Sequence, residues 1–152
     1  MHSKVIVDRR KGPDMAKIRI VDAVDPAWET KVVITPQQRE GSPVDPYEIQ
    51  MRVHHEGDHE RPRLHEIEHP PGKEVIPHAH DVDEIIYVVA GDLVIGNRSL
   101  PAGSSVFVPA NTLYAFRSGP QGLRFVNFRS HGNVGTVTKD EFMERRATAK
   151  RL

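Results

Sequence analysis

Apolar residues fall in short runs along this chain, and Gly, Pro, Asn and Asp separate them. Several runs alternate with period two, the spacing that puts successive strand side chains on opposite faces. Over Tyr47–His54, residues Tyr47, Ile49, Met51 and Val53 share one face, and Glu48, Gln50, Arg52 and His54 the other. Leu64–His69 alternates in the same way. Glu84–Val89 is nearly all apolar, which predicts a strand covered on both faces. Leu93–Ile95 and Arg98–Leu100 flank Gly96-Asn97, a pair that tolerates positive φ and suits a tight hairpin. Ser105–Val108, Leu113–Arg117 and Leu123–Arg129 follow. Upstream, Lys4–Val7, Ile18–Val21 and Lys31–Thr35 are weaker β-branched runs. Many short strands with turn residues between them predict an all-β sandwich or barrel.

Only the end of the chain reads as helix. Thr138 and Glu141 have capping-box spacing, and Phe142–Lys150 follows with good helix formers. Charges surround that helix, so it is expected on the surface. No internal repeat divides the chain. The organisation read from these patterns is 1–45 as strands or an arm, with a loop at Gly41-Ser42-Pro43, 46–131 as the barrel, and 132–152 as a tail with the short helix.

Composition narrows the function classes. The 152 residues suffice for one domain with one core. Lys and Arg total 21, as do Asp and Glu, so no basic excess points to nucleic acid. Cysteine is absent, which removes thiolate nucleophiles and thiolate metal sites. No apolar run reaches the roughly 20 residues of a membrane helix, and the first residues lack the apolar stretch of a secretory signal. A cytoplasmic location is the expectation. Nine histidines are present, seven of them between His54 and His80.

Two of these carry the candidate chemistry. In an extended segment His78 and His80 point the same way, and a turn through Asp81–Asp83 brings Glu84 beside them. Two imidazoles and one carboxylate with open positions form a ligand set suited to non-haem Fe(II), and also to Mn, Ni or Zn. The plainer reading is a pair of surface histidines beside an acidic turn.

The surrounding spacing resembles the first cupin motif, with Gly72, His78, His80, Glu84 and Gly91 at its fixed positions. Gly103 and Pro109 match the second motif. There Asn111 replaces a glycine, a mild change because Asn also enters left-handed conformations. Tyr114 stands where that family has its fourth ligand, a histidine, and Ser118 replaces the final Asn. The resemblance, over roughly residues 62–130, implies a small antiparallel double-stranded β-helix, the jelly-roll barrel of cupins, with a divalent metal inside. For Tyr114 three readings stand side by side: a phenolate ligand, a protonated acid–base residue beside a three-ligand metal, or the mark of a site that binds little metal.

Alternation from Glu84 puts Ile86 and Val88 inside and Tyr87 outside, and alternation from Tyr114 puts Phe116 inside. His65 joins Ile86 and Phe116 as a substrate-binding candidate if its face lines the barrel. An outward face for His65 and His69, with Glu66 inward, is the simpler expectation. Arg52, Arg124 and Arg129 are candidates for a substrate carboxylate, although solvated strand edges are simpler. His131 is a candidate fourth imidazole, and His54–Glu60 reads as a solvated loop. Trp28 is expected to anchor the N-terminal arm on the barrel or on a second subunit.

The functional expectation is a metal-dependent enzyme on a small organic molecule, foremost a non-haem dioxygenase. The alternatives are a non-redox, metal-dependent lyase or isomerase using Tyr114 as acid or base, or a barrel that binds small molecules without turnover. A homodimer is expected, without a nucleic-acid or membrane partner.

Overall fold

The computed structural model describes residues 18–33, 46–132 and 135–150. The run at Lys4–Val7 and the loop at 41–43 lie outside them. Nine antiparallel strands and one helix make up the described fold: β1 (Glu29–Val33), β2 (Tyr47–His55), β3 (Arg63–His69), β4 (Glu74–His80), β5 (Glu84–Ile95), β6 (Arg98–Pro101), β7 (Ser105–Val108), β8 (Tyr114–Arg129), β9 (Thr136–Thr138) and α1 (Lys139–Ala149). The order runs β1-β2-β3-β8-β4-β9, and β5 pairs with β6, β7 and β8. Strand β8 is the spine. Its second half lies between β3 and β5, and its first half between β4 and β5. The sheet therefore curls around one interior.

That interior is filled by Ile86, Val88, Leu93, Phe116, Leu123 and Phe125. Burying each such side chain contributes about 1.5–3 kcal/mol. They come from the alternating positions of β5 and β8, as the period-two pattern requires. Strand β5 departs from the expectation in one respect. Ile86 and Val88 are buried, but Ile85, Tyr87 and Val89 face water. Its apolar run is covered on one face only within this chain.

Two turn positions explain residue choices that strand propensity does not. Gly91 has φ +68°, and a Cβ there would overlap the Gly122 carbonyl where β5 crosses β8. Asn111 has φ 57°, and its N–H donates to the His80 carbonyl at 2.6 Å. Asparagine thus fills the left-handed position usually given to glycine. Ser118 is buried; it accepts from the Lys73 N–H at 2.8 Å and donates to the Pro70 carbonyl at 2.6 Å, fixing the turn before β4.

The upstream segment is partly sheet. Residues 18–21 form no strand, and Ile18 and Ile20 are exposed. Strand β1 begins at Glu29, beside Trp28, and pairs with β2. Trp28 docks on the barrel: the Arg52 and Arg124 guanidiniums lie 4.7 and 5.2 Å from its ring centroid. Both arginines donate to the buried Glu66 carboxylate beneath. Burial alone would raise Glu66, but the hydrogen bonds from Arg52 and Arg124 outweigh it and hold the carboxyl below its ordinary range.

At the other end, Thr138 caps α1 in a complete capping box with Glu141. No α1 residue is buried, in keeping with a surface helix. Strand β9 was not apparent in the sequence; it pairs with β4 opposite His78 and His80.

Candidate functional site

The site forms where the end of β4 turns into β5 and both meet β8. His78 is paired across from Tyr114, and Glu84 across from Arg129. Glu84 is 1% exposed. Its Oε1 accepts a short hydrogen bond from the Tyr114 hydroxyl. Its Oε2 accepts from Asn127 Nδ2 at 2.9 Å and from Arg129 Nε at 3.2 Å. Burial raises Glu84, but the bonds from Tyr114 and Asn127 prevail and keep its carboxyl below the ordinary range. Tyr114 is pushed up by burial and then by the Glu84 charge, so its hydroxyl keeps its proton.

The two imidazoles are held alike. His78 Nδ1 lies 2.8 Å from the Ile76 carbonyl, and His80 Nδ1 lies 3.2 Å from the Gly135 carbonyl. A carbonyl only accepts, so both rings donate through Nδ1. In neutral rings the lone pairs at Nε2 then face inward. That of His78 lies 3.1 Å from the Tyr114 hydroxyl, and that of His80 lies 3.1 Å from Arg129 Nη2. Burial, and then the Arg129 charge, lowers His80.

The donor types suit a divalent metal, and carbonyl-tethered imidazoles are a usual support for ligands. The arrangement does not fit one. Arg129 places a cation against both Glu84 and His80, and among the described residues no three His, Asp or Glu side chains converge to hold an ion. His78, His80, Glu84 and Tyr114 are thus brought together as one hydrogen-bonded cluster with Arg129 inside it.

Beside this cluster runs a cavity of about 220 Å³. Its walls are mainly apolar, including Ile67, Ile86, Phe116 and Phe125, and its polar lining includes His65, His69, Tyr114, Asn127 and Arg129. His65, Ile86 and Phe116 therefore all line it, as the substrate-binding candidates require. The outward reading of His65 and His69 is corrected: β3 turns that face into the barrel, and Glu66 goes to the other side beneath Trp28. Burial pushes His65 down to about 3 and His69 down to about 4. His65 Nδ1, His69 Nδ1 and Asn127 Oδ1 are buried with no hydrogen-bond partner.

Asn127 is the residue whose role the sequence left unstated, and Arg129, expected at a substrate carboxylate or a solvated edge, instead holds Glu84 and His80. Both share the phase of Phe125 on β8, which was the available signal. Their pairing across from Glu84 and Ile86 was not visible without the sheet register. His131 stays outside; it is exposed, and its Nδ1 lies 2.9 Å from Ser130 Oγ. Of the segment expected as a solvated loop, residues 56–60 form a turn built on Asp58, but His54 and His55 end β2 and His54 Nε2 lies 3.4 Å from Glu66 Oε2.

No family model and no curated protein matches this sequence. Solved structures do match the fold. An RmlC-like cupin from Ralstonia eutropha JMP134 superposes with TM-score 0.62 at 15% identity, covering 89% of this chain and 88% of that one. KdgF from a Halomonas species gives 0.56 at 18% identity, over 77% and 97% of the two chains. An RmlC-like cupin from Shewanella frigidimarina gives 0.50 at 24%, over 56% and 78%. The chain has the cupin fold. The cupin spacing of Gly72, His78, His80, Glu84 and Gly91 thus corresponds to real structural positions: a turn, the β4–β5 junction that carries the two imidazoles and the carboxylate, and a close strand crossing. No described helix is long and apolar enough to cross a membrane.

Proposed function

We propose that this cupin is an enzyme that moves a proton on a small organic molecule, a lyase or isomerase in class, with Tyr114 and His78 as the exchanging groups. The observation that carries this reading is Tyr114, which lines the cavity and whose hydroxyl is set between Glu84 and His78. A dioxygenase needs an ion on the three donors, and their arrangement around Arg129 favours acid–base chemistry instead. The substrate class is a small carbonyl compound with an acidic C–H. Tyr114 gives its proton to the oxygen where negative charge develops, and His78 Nε2 takes the proton that the carbon loses. While the enol is bound, His78 exchanges the abstracted proton with solvent and the reverse transfers place a solvent proton on the carbon; when the enol leaves, the 3.1 Å contact between His78 and Tyr114 returns a proton to the phenolate. Arg129, Asn127 and His65 offer polar groups to orient the ligand, while Ile86 and Phe116 exclude water.

Ligand-observed NMR in D₂O, run on small carbonyl compounds, tests this. The expectation is deuterium incorporation at the acidic carbon of a bound compound. Tyr114→Phe should slow it by at least about 100-fold with ligand affinity nearly unchanged. Equal rates for the two proteins, or binding with no exchange for any compound, would overturn the reading.

We also propose that the chain works as a homodimer. Phe107, Ile85 and Phe128 lie side by side across β7, β5 and β8, and with Tyr87 and Val89 they leave an exposed apolar patch. Such patches mark contact surfaces, and a two-fold axis would set this one against its own copy.

A further inference from the structure

We propose that Arg129 is a built-in cation of this site, and that a divalent ion can use the His78, His80 and Glu84 donors only when the guanidinium has left. This goes beyond the acid–base reading and does not depend on it. Three observations carry it. The donor lone pairs are already aimed: His78 and His80 are tethered through Nδ1 to backbone carbonyls, so their Nε2 atoms face the cluster. His78 Nε2 faces the Tyr114 hydroxyl, and the space beside His80 and Glu84 is taken by a charge that cannot be shed, because a guanidinium stays protonated in proteins. Arg129 Nη2 lies 3.1 Å from His80 Nε2, and its Nε lies 3.2 Å from Glu84 Oε2. Strand register holds it there, since Glu84 and Arg129 are direct partners on β5 and β8.

An ion on the same donors would lie within a few ångströms of that guanidinium. Two positive centres that close, in a site shielded from water, repel strongly. Glu84 cannot serve both at full strength. Its carboxylate is neutralised by Arg129 in one state and by the metal in the other. Arg129 and an ion therefore exclude each other on these donors. Arg129 acts on metal affinity through charge and occupancy, without being a ligand.

The test uses the full chain stripped with a chelator and titrated with Co(II) and Zn(II) at buffered free-metal levels. Calorimetry and the Co(II) visible spectrum provide the readouts. Arg129→Gln is expected to tighten Zn(II) binding by at least about 100-fold and to give Co(II) bands of an imidazole–carboxylate site. Arg129→Met provides the same comparison if the glutamine variant folds poorly, with folding checked by circular dichroism. Adding His80→Asn to either variant should abolish the gain, which separates this site from ions held by the exposed histidines near His59. Wild-type protein that binds Zn(II) through His80 as tightly as the Arg129 variants would overturn the proposal. So would Arg129 variants that gain no His80-dependent ion.

Discussion

His65 and His69 are neutral side chains that the barrel keeps from water, and their cost depends on pH. Burial lowers them from the ordinary 6.5 to about 3 and about 4. Below pH 6.5 the unfolded chain binds protons that the folded chain refuses, so their contribution is intact above 6.5 and is lost as pH falls toward 4. Each histidine removes up to about 1.4 kcal/mol of stability per pH unit in that window. Urea unfolding between pH 7 and pH 4.5 checks this. His69→Phe, which keeps the stack on Phe125, should show a shallower slope; an unchanged slope would contradict the assignment. At this scale the sequence was informative where spacing alone decides geometry. His78 and His80 are two apart on a strand, Glu84 follows one turn later, and the three join one cluster through Tyr114 and Arg129 without converging on a common point. It was not informative for Arg129 and Asn127, whose neighbours come from strands some 45 residues away.

Element by element, local chemistry predicted what local chemistry controls. Gly96-Asn97 gave the β5–β6 hairpin, and Thr138 with Glu141 gave the start of α1. Elements that depend on a partner were harder to read. Strand β9 is three residues long and exists because β4 offers it an edge. The face of β3 is decided by the curl of the sheet and not by its own hydropathy, which is why His65 and His69 were read outward. The two flanking glycines of the first motif separate in the same terms. A Cβ at Gly91 would overlap the Gly122 carbonyl, whereas one at Gly72, φ +66°, meets nothing within 4 Å. Gly91→Ala should therefore destabilise the fold by about 3 kcal/mol or more, and Gly72→Ala by about 1 kcal/mol. Denaturant unfolding of the two variants would show it, and equal losses would contradict the close crossing.

Taken whole, the molecule is a curled sheet that puts its polar residues in two places: beneath Trp28 on the outside and beside the cavity on the inside. The β7–β5–β8 face keeps an apolar patch exposed. Light scattering should give a particle of twice 17.1 kDa, and Phe107→Asp should shift it to the monomer with the fold intact. A wild-type monomer at all concentrations would contradict the proposed dimer. Beneath the proposed function lies a closed cluster in which Arg129 bridges Glu84 and His80 beside the cavity. Histidine ¹⁵N NMR of the chelator-treated protein tests it most directly. The account predicts that His80 at pH 7 is neutral, protonated on Nδ1, and hydrogen-bonded at Nε2. A His80 ring protonated on Nε2, or charged and titrating near its ordinary value, would contradict it.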